Sequence, residues 1–290
     1  MAIDVIGDST DGYTNGPAWL TPASLDEALG LRAELEDDVT VVAGGTFVGI
    51  LMNIGFMAPS AMLSLRGVPR LSYIKSDEEL RIGPMTSHRA VERSAIVRRG
   101  WPGLAQAFEV VASPRVRNQA TVGGVLADAD YASDPPAMFL ALGARAVLQG
   151  PAGQREVPIE EFILGYYQTA LASDELLVEV RVPGGVEAGV YRKFRTRSSE
   201  DRPCVSVAAV RRDGELRVAV GAATSSPQYF PDVCAAAIHR SRIEDELARE
   251  IGDEYARRID PISDARGSAE YRRRVIAVEV RRALEELAHA

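Results

Sequence analysis

Asn118-Gln-Ala-Thr-Val-Gly-Gly-Val-Leu-Ala-Asp-Ala-Asp-Tyr-Ala-Ser-Asp134 gathers a glycine pair, a hydroxyl and three acidic side chains into one short stretch. Gly123 and Gly124 carry no Cβ, so the backbone can bend and come close to a ligand, with consecutive N–H groups turned into a concavity that suits phosphate oxygens. Thr121 adds a hydroxyl donor. A second glycine pair, in Ala43-Gly-Gly-Thr-Phe-Val-Gly49, follows a run from Val39 to Val42 that reads as a short buried strand, and it leads into a helix-like stretch from Phe47 to Phe56. Strand, glycine loop and helix in that order suit a phosphate, because a helix amino terminus carries partial positive charge. Two such loops suggest one ligand with two phosphates, gripped from both sides. The plain alternative is that each is a tight turn.

Two common nucleotide loops are excluded. Neither stretch ends in the Lys-Ser or Lys-Thr that a triphosphate loop needs to reach the outer phosphates and Mg²⁺. Gly44, Gly45 and Gly49 do not have the spacing of G-x-G-x-x-G, whose third glycine lets a helix pack on its strand.

The 290 residues suffice for two domains at about 150 residues each. Hydrophobic residues make up 46% and charged ones 26%, as in an ordinary globular protein. A formal net charge of -8 argues against nonspecific nucleic-acid binding, which needs a positive field to displace counterions. Cys204 and Cys234 are the only cysteines, too few for an iron–sulfur cluster held by this chain alone. They form either a disulfide or two buried free thiols. His88, His239 and His289 have no ligand spacing and read as solvated or capping residues. No basic-then-apolar leader and no long apolar window is visible, so the expectation is a cytoplasmic chain without a membrane span.

Along the chain, residues 1–16 read as a loose arm. Ser24 and Glu27 form a capping box ahead of a helix that ends at Asp37-Asp38. From Pro59 the texture changes to short strands, Met62 to Leu65 and Glu79 to Ile82, taken as the start of a second lobe. Helices are expected from His88, over Leu104 to Ala112, and after Pro135-Pro136. A hairpin turns at Gly150 to Gly153, and a strand from Glu175 to Val182 ends at Pro183-Gly184-Gly185, a domain boundary. Three strands follow, Val190 to Phe194, Cys204 to Val210 and Leu216 to Ala222, then an amphipathic helix from Ala269 to Ala288.

Several motifs in order carry a resemblance. Ala43-Gly-Gly-Thr46, Val116-Arg-Asn-x-x-Thr-x-Gly-Gly124, Ala127-Asp-Ala-Asp-x-x-Ser-Asp134, Gly165 to Leu171, Tyr191 to Arg197 and Asp264 to Arg272 resemble the flavin-binding medium subunit of the molybdenum hydroxylases, the xanthine dehydrogenase and carbon monoxide dehydrogenase family. The resemblance implies an α+β fold: a two-lobed FAD-binding domain of the PCMH type over residues 1–183, with lobes 1–57 and 58–183. A smaller α+β domain over 184–290 would follow, with a three-stranded antiparallel sheet and carboxy-terminal helices.

It also implies roles. Val41, Val42, Ala43, Gly44, Gly45, Thr46, Phe47 and Val48 would wrap the FAD pyrophosphate, with Thr121, Val122, Gly123, Gly124 and Val125 embracing it from the other lobe. Asp134 would accept hydrogen bonds from the flavin's hydroxylated chain, with a helix cap before Pro135 as the alternative use. Val111 and Leu171 would lie near the rings. Lys193 would sit by the isoalloxazine, where a cation favours the anionic reduced flavin; otherwise it is a solvated strand lysine. Phe47, Val125 and Tyr131 depart from the family pattern, and Tyr131 would shape the flavin edge. No catalytic residue and no metal ligand is expected on this chain.

The implied chemistry is electron relay in a heterotrimer. A large molybdopterin-binding subunit would hydroxylate a small molecule, a small subunit with [2Fe–2S] clusters would pass electrons singly, and FAD would deliver them to NAD⁺, a quinone or O₂. Two other classes compete: a self-contained two-lobed flavin oxidoreductase, which would turn over alone, and a colourless nucleotide-binding module.

Overall fold

The first lobe is built around a strand that sequence texture assigns elsewhere. In a computed structural model, which describes residues 16–198, 200–237 and 243–290, β1 (Ala18–Leu20), α1 (Leu25–Leu35), β2 (Val39–Val42), α2 (Thr46–Asn53) and β3 (Ala61–Ser64) form one unit. β3 lies between β1 and β2, parallel to both. The strand read as opening the second lobe is therefore the centre of the first sheet, with Met62 and Leu63 buried between its neighbours. Ser24 caps α1 as expected, its Oγ accepting from the Glu27 N–H at 3.1 Å; the Glu27 carboxylate accepts from Ala23 N–H at 2.7 Å, one residue upstream of the usual box. The arm expected over residues 1–16 lies, up to residue 15, outside the described residues, as does His239.

The second lobe runs through β4 (Ile74–Ser76), β5 (Glu79–Ile82), α3 (His88–Arg93), α4 (Ala95–Gly100), α5 (Pro102–Glu109), α6 (Pro114–Gln119), α7 (Val122–Ala127), α8 (Pro135–Ala141), β6 (Arg145–Gly150), β7 (Gly153–Pro158), α9 (Ile159–Phe162), β8 (Ile163–Gly165), β9 (Gln168–Thr169) and β10 (Leu176–Pro183). Its five-stranded antiparallel sheet has the order β4-β5-β10-β6-β7, and the hairpin at Gly150 stands where the turn residues placed it. The central stretch, read as a glycine loop, is two short helices, α6 and α7, each capped by a hydroxyl: Ser113 for α6 and Thr121 for α7.

Beyond lie β11 (Val186–Phe194), β12 (Val205–Arg212), β13 (Glu215–Gly221), β14 (Gln228–Tyr229), α10 (Pro231–Cys234), α11 (Asp245–Arg258) and α12 (Ala269–Leu287). The three long antiparallel strands match the expected sheet, and the two-residue β14 adds an edge. β12 is buried on both faces. Val205, Val207 and Ala209 pack with α11 and α12, whereas Ala208 and Val210 point the other way, into the core that holds α5 and α8. The carboxy-terminal sheet is thus bonded to the second lobe through a shared apolar layer. Cys204 and Cys234 are buried free thiols. Among the described residues no helix is long and apolar enough to cross a membrane.

One charge is enclosed in this region. Arg272 on α12 is 0% exposed and donates to the carbonyls of Cys204, Ile262 and Gly267 and to Asp264 Oδ1 at 2.7 Å. Those three carbonyls and Asp264 would lose that donor together in Arg272→Ala, which should cost about 3 kcal/mol or more. Chemical denaturation of the two proteins checks this; equal midpoints would show that the loops find other donors.

Candidate functional site

The glycine loops of the two lobes touch. A Cβ at Gly44 would lie 2.1 Å from the Gln119 carbonyl oxygen, so only glycine lets the first loop seat against the end of α6. One cavity follows this seam. Its wall takes Val41, Ala43, Gly44, Gly45, Thr46, Phe47 and Val48 from the first lobe, Val111, Thr121, Gly123, Gly124, Val125, Asp134 and Leu171 from the second, and Lys193 from β11. Val42 and Val122 do not join them: they are 7% and 0% exposed, turned into the cores behind the loops.

The loops differ in what their amides can do. Gly45 is the N-cap of α2 with φ +71°, and no side chain caps that end. The N–H groups of Thr46, Phe47 and Val48 have no acceptor within the helix and stand at the cavity wall, where an anion can accept them. The second loop corrects the concavity read from its glycines. Val122 N–H donates to Thr86 O at 3.0 Å, Gly123 N–H to Pro84 O at 2.8 Å, and Gly124 N–H to Thr121 Oγ1 at 3.1 Å. These amides are spent inside the protein, although Thr121, Gly123 and Gly124 all line the cavity.

Another correction concerns His88, which is 2% exposed rather than solvated. Its backbone N–H donates to Ala120 O at 2.9 Å, and its Nε2 donates to Thr121 O at 3.1 Å, since a carbonyl only accepts. Burial pushes this imidazole down to about 4, so a neutral ring pins the loop.

Asp134 and Lys193 form the other end of the wall. Asp134 sits at the N-cap of α8, yet its side chain makes no cap bond. One carboxylate oxygen accepts from Tyr191 OH at 2.9 Å and the other from Lys193 Nζ at 2.9 Å. Lys193 also donates to Val110 O at 2.9 Å, and its side chain is 2% exposed, which removes the solvated-lysine reading. Burial pushes Asp134 up to about 6, against the pull of Lys193 and Tyr191.

Sequence reasoning placed Asp128 and Asp130 in the motif without giving them a role, and it missed Arg202. Asp128 faces the cavity without a hydrogen-bond or ion-pair partner among the described residues, and burial together with Asp130 pushes it up to about 7. Asp130 accepts from Ala132 N–H at 3.1 Å and pairs with Arg202, whose guanidinium lies 5.7 Å from the centroid of the Phe47 ring. Arg202 enters from the turn between β11 and β12, and no local pattern marks it. Tyr131, by contrast, is drawn away from the main cavity, donating to Asp264 Oδ2 at 3.0 Å.

An uncapped helix end, a bare seam, a buried acceptor carboxylate and a buried cation along one groove fit a ligand with a diphosphate, hydroxyls and planar rings. Residues 12–185 match the family described as FAD binding domain in molybdopterin dehydrogenase, and residues 189–287 match the CO dehydrogenase flavoprotein C-terminal domain. This chain belongs to that family. As an FAD-binding medium subunit it is 31% identical, over 92% of its length and 96% of the relative's, to the nicotine 6-hydroxylase medium subunit of Paenarthrobacter nicotinovorans. It is similar to a structure of carbon monoxide dehydrogenase from Hydrogenophaga pseudoflava at TM-score 0.88 and 31% identity, covering 94% of this chain and 97% of that one. It is also similar to quinoline 2-oxidoreductase from Pseudomonas putida 86, at TM-score 0.87 and 27% identity over 95% and 99% of the two chains. Medium subunits of this family are flavoprotein components of molybdenum-hydroxylase oxidoreductases.

In the cofactor-free medium subunit, Asp128 and Asp134 are raised above the ordinary carboxylate range, so folding takes up protons. Their contribution is fully present below about pH 4 and is lost as pH rises to about 7. Asp128→Asn should therefore flatten the fall in melting temperature between about pH 4 and 7, the interval between the ordinary aspartate value and the raised one. Parallel profiles for the two proteins would show that Asp128 does not titrate in that range.

Proposed function

We propose that this chain is the FAD-carrying electron-relay subunit of a heteromeric molybdenum-containing hydroxylase or dehydrogenase. Electrons would arrive from [2Fe–2S] clusters of a small partner, fed by a large molybdopterin-binding partner that oxidises the primary substrate. They would leave to an external acceptor such as NAD⁺, a quinone or O₂. The observation that carries the reading is the open amino end of α2 lying across the loop seam, in one groove with the buried Lys193–Asp134 pair.

Bound FAD supplies the exchange between carriers of one electron and acceptors of two. The chain's own residues do the rest. The amides of Thr46, Phe47 and Val48 hold the diphosphate, with Gly44 and Gly45 letting it approach and the Thr121 hydroxyl donating from across the seam. Asp134 has two oxygens with about four lone-pair sites, so it can accept from the cofactor's hydroxyl chain while keeping Tyr191 and Lys193. Val111 and Leu171 give apolar contacts beside the rings. Lys193 presents a positive charge there, which favours the negatively charged reduced form by direct attraction. We assign this work to residues 1–183, with 184–290 contributing Lys193 and Arg202, and place the assembly in the cytoplasm.

Gly124 tests the seam. A Cβ there would lie 3.0 Å from Thr121 Oγ1 and 3.9 Å from Ala43 Cβ, so Gly124→Val projects its methyls between the two loops. The wild-type chain should purify with flavin absorbance and the variant without it, both folded by circular dichroism; a fully yellow variant would move the diphosphate elsewhere. For the relay, mild affinity purification of the tagged chain should bring down a molybdopterin-containing large chain and a [2Fe–2S] small chain. Substrate turnover by the isolated flavoprotein would favour the self-contained oxidoreductase instead.

A further inference from the structure

Three consecutive carbonyl oxygens at one corner of the cavity are held by two cations. The corner follows α5, where Ala112 takes φ +38°, a conformation that residues with a Cβ rarely adopt. Lys193 Nζ donates to Val110 O at 2.9 Å. Arg117, on α6, donates through one guanidinium nitrogen to Val111 O at 2.8 Å and to Ala112 O at 3.1 Å. Its Nε is committed to Glu92 Oε2 at 2.9 Å, and Glu92 also receives Arg89. Arg117 and Glu92 are 7% and 5% exposed, and neither lines the cavity, whereas Val111, Ala112 and Lys193 all do.

A buried ion pair adds little stability over apolar packing of the same size. What it does impose is geometry. Arg117 is fixed by Glu92 from behind and reaches two carbonyls that, in this turn, face the same way. With Val111 and Ala112 held, Val110 O stays where Lys193 can donate to it, and the ammonium is shared between that carbonyl and Asp134 Oδ2. Were the corner to relax, Val110 O would withdraw and the ammonium would move closer to Asp134, whose carboxylate would then cancel more of its field than it does with the carbonyl holding it back.

We infer that Arg117, held by Glu92, is a positioning residue for Lys193, and so sets the positive charge that the cavity wall presents to the flavin. The inference rests on the FAD reading above and adds to it a residue pair outside the binding wall. Arg117→Lys keeps the charge but offers one ammonium where a planar fork made three hydrogen bonds. Glu92→Gln leaves Arg117 in place with a weaker hold.

The test uses the full chain reconstituted with FAD, reading flavin stoichiometry by absorbance and the midpoint potential of the bound flavin. Both variants should take up FAD. Their preference for the reduced over the oxidised form should fall about tenfold, a midpoint lower by about 30 mV for a two-electron couple. Lys193→Gln should shift the same way, and Arg117→Lys on top of Lys193→Gln should add nothing, because the one acts through the other. A merely structural role would lower the melting temperature and leave the potential alone. A wild-type potential in the FAD-loaded Arg117→Lys chain, or shifts that add in the double variant, would overturn the inference. If Arg117→Lys fails to fold, Glu92→Gln decides by the same measurement. A wild-type chain that takes up no FAD overturns the cofactor reading and this inference with it.

Discussion

Backbone meets backbone where Gly44 rests on the last residue of α6, and the cavity exists because nothing larger than a hydrogen stands between them. That contact brings the loop after a parallel strand of one lobe against a helix end of another, so the amino end of α2 and Thr121 line one space. Everything around the seam keeps it in place. His88 ties the second loop from below with two hydrogen bonds, and Thr121 caps the short helix that carries Gly124. The first lobe leaves the amides at the amino end of α2 without an internal acceptor; the second uses its own to hold its shape. The two glycine pairs thus do different work despite similar sequences.

The carboxy-terminal domain is more than an appendage to this clamp. Burial of β12 on both faces leaves little freedom between its sheet and the second lobe, because sliding one against the other would expose an apolar layer. That rigidity lets Lys193, with Arg202 from the turn that follows its strand, complete a cavity lined otherwise mainly by the two lobes. Its neighbour in the network, Tyr191, donates its side-chain hydroxyl to Asp134 while its backbone N–H donates to Gln106 Oε1 at 3.0 Å, so the strand is pinned from both sides. Buried charges recur wherever irregular backbone has to be held: Arg272 gathers three loop carbonyls, and Arg117 gathers two. Guanidinium groups suit this use, since a planar fork of donors satisfies several fixed acceptors at once.

Much of the local structure was legible because its causes are local. Ser24 ahead of an apolar run announces α1, Val39 to Val42 with a following glycine pair announces β2, and the Gly150–Gly153 turn announces its hairpin. α11 was not legible: its fourteen residues are dominated by charge, and the buried set Leu247, Ala248, Ile251, Tyr255 and Ala256 becomes a face only when α12 lies beside it. β3 was assigned to the wrong sheet because strand texture does not say which partner a strand will take. Tyr131 and Arg202 were missed or misjudged for the same reason, as their partners lie far along the chain.

By itself the sequence determined the family, the ligand class and the order of the parts. Glycine pairs, a hydroxyl and carboxylates at set spacings are short-range features that a single chain displays in full. Only the tertiary structure decided which glycine loop keeps its amides free, that Asp134 bonds Tyr191 and Lys193 rather than capping a helix, and that His88 is buried and neutral. Those outcomes depend on which groups are removed from water together, and desolvation is set by neighbours that meet only when the sheets and helices have packed.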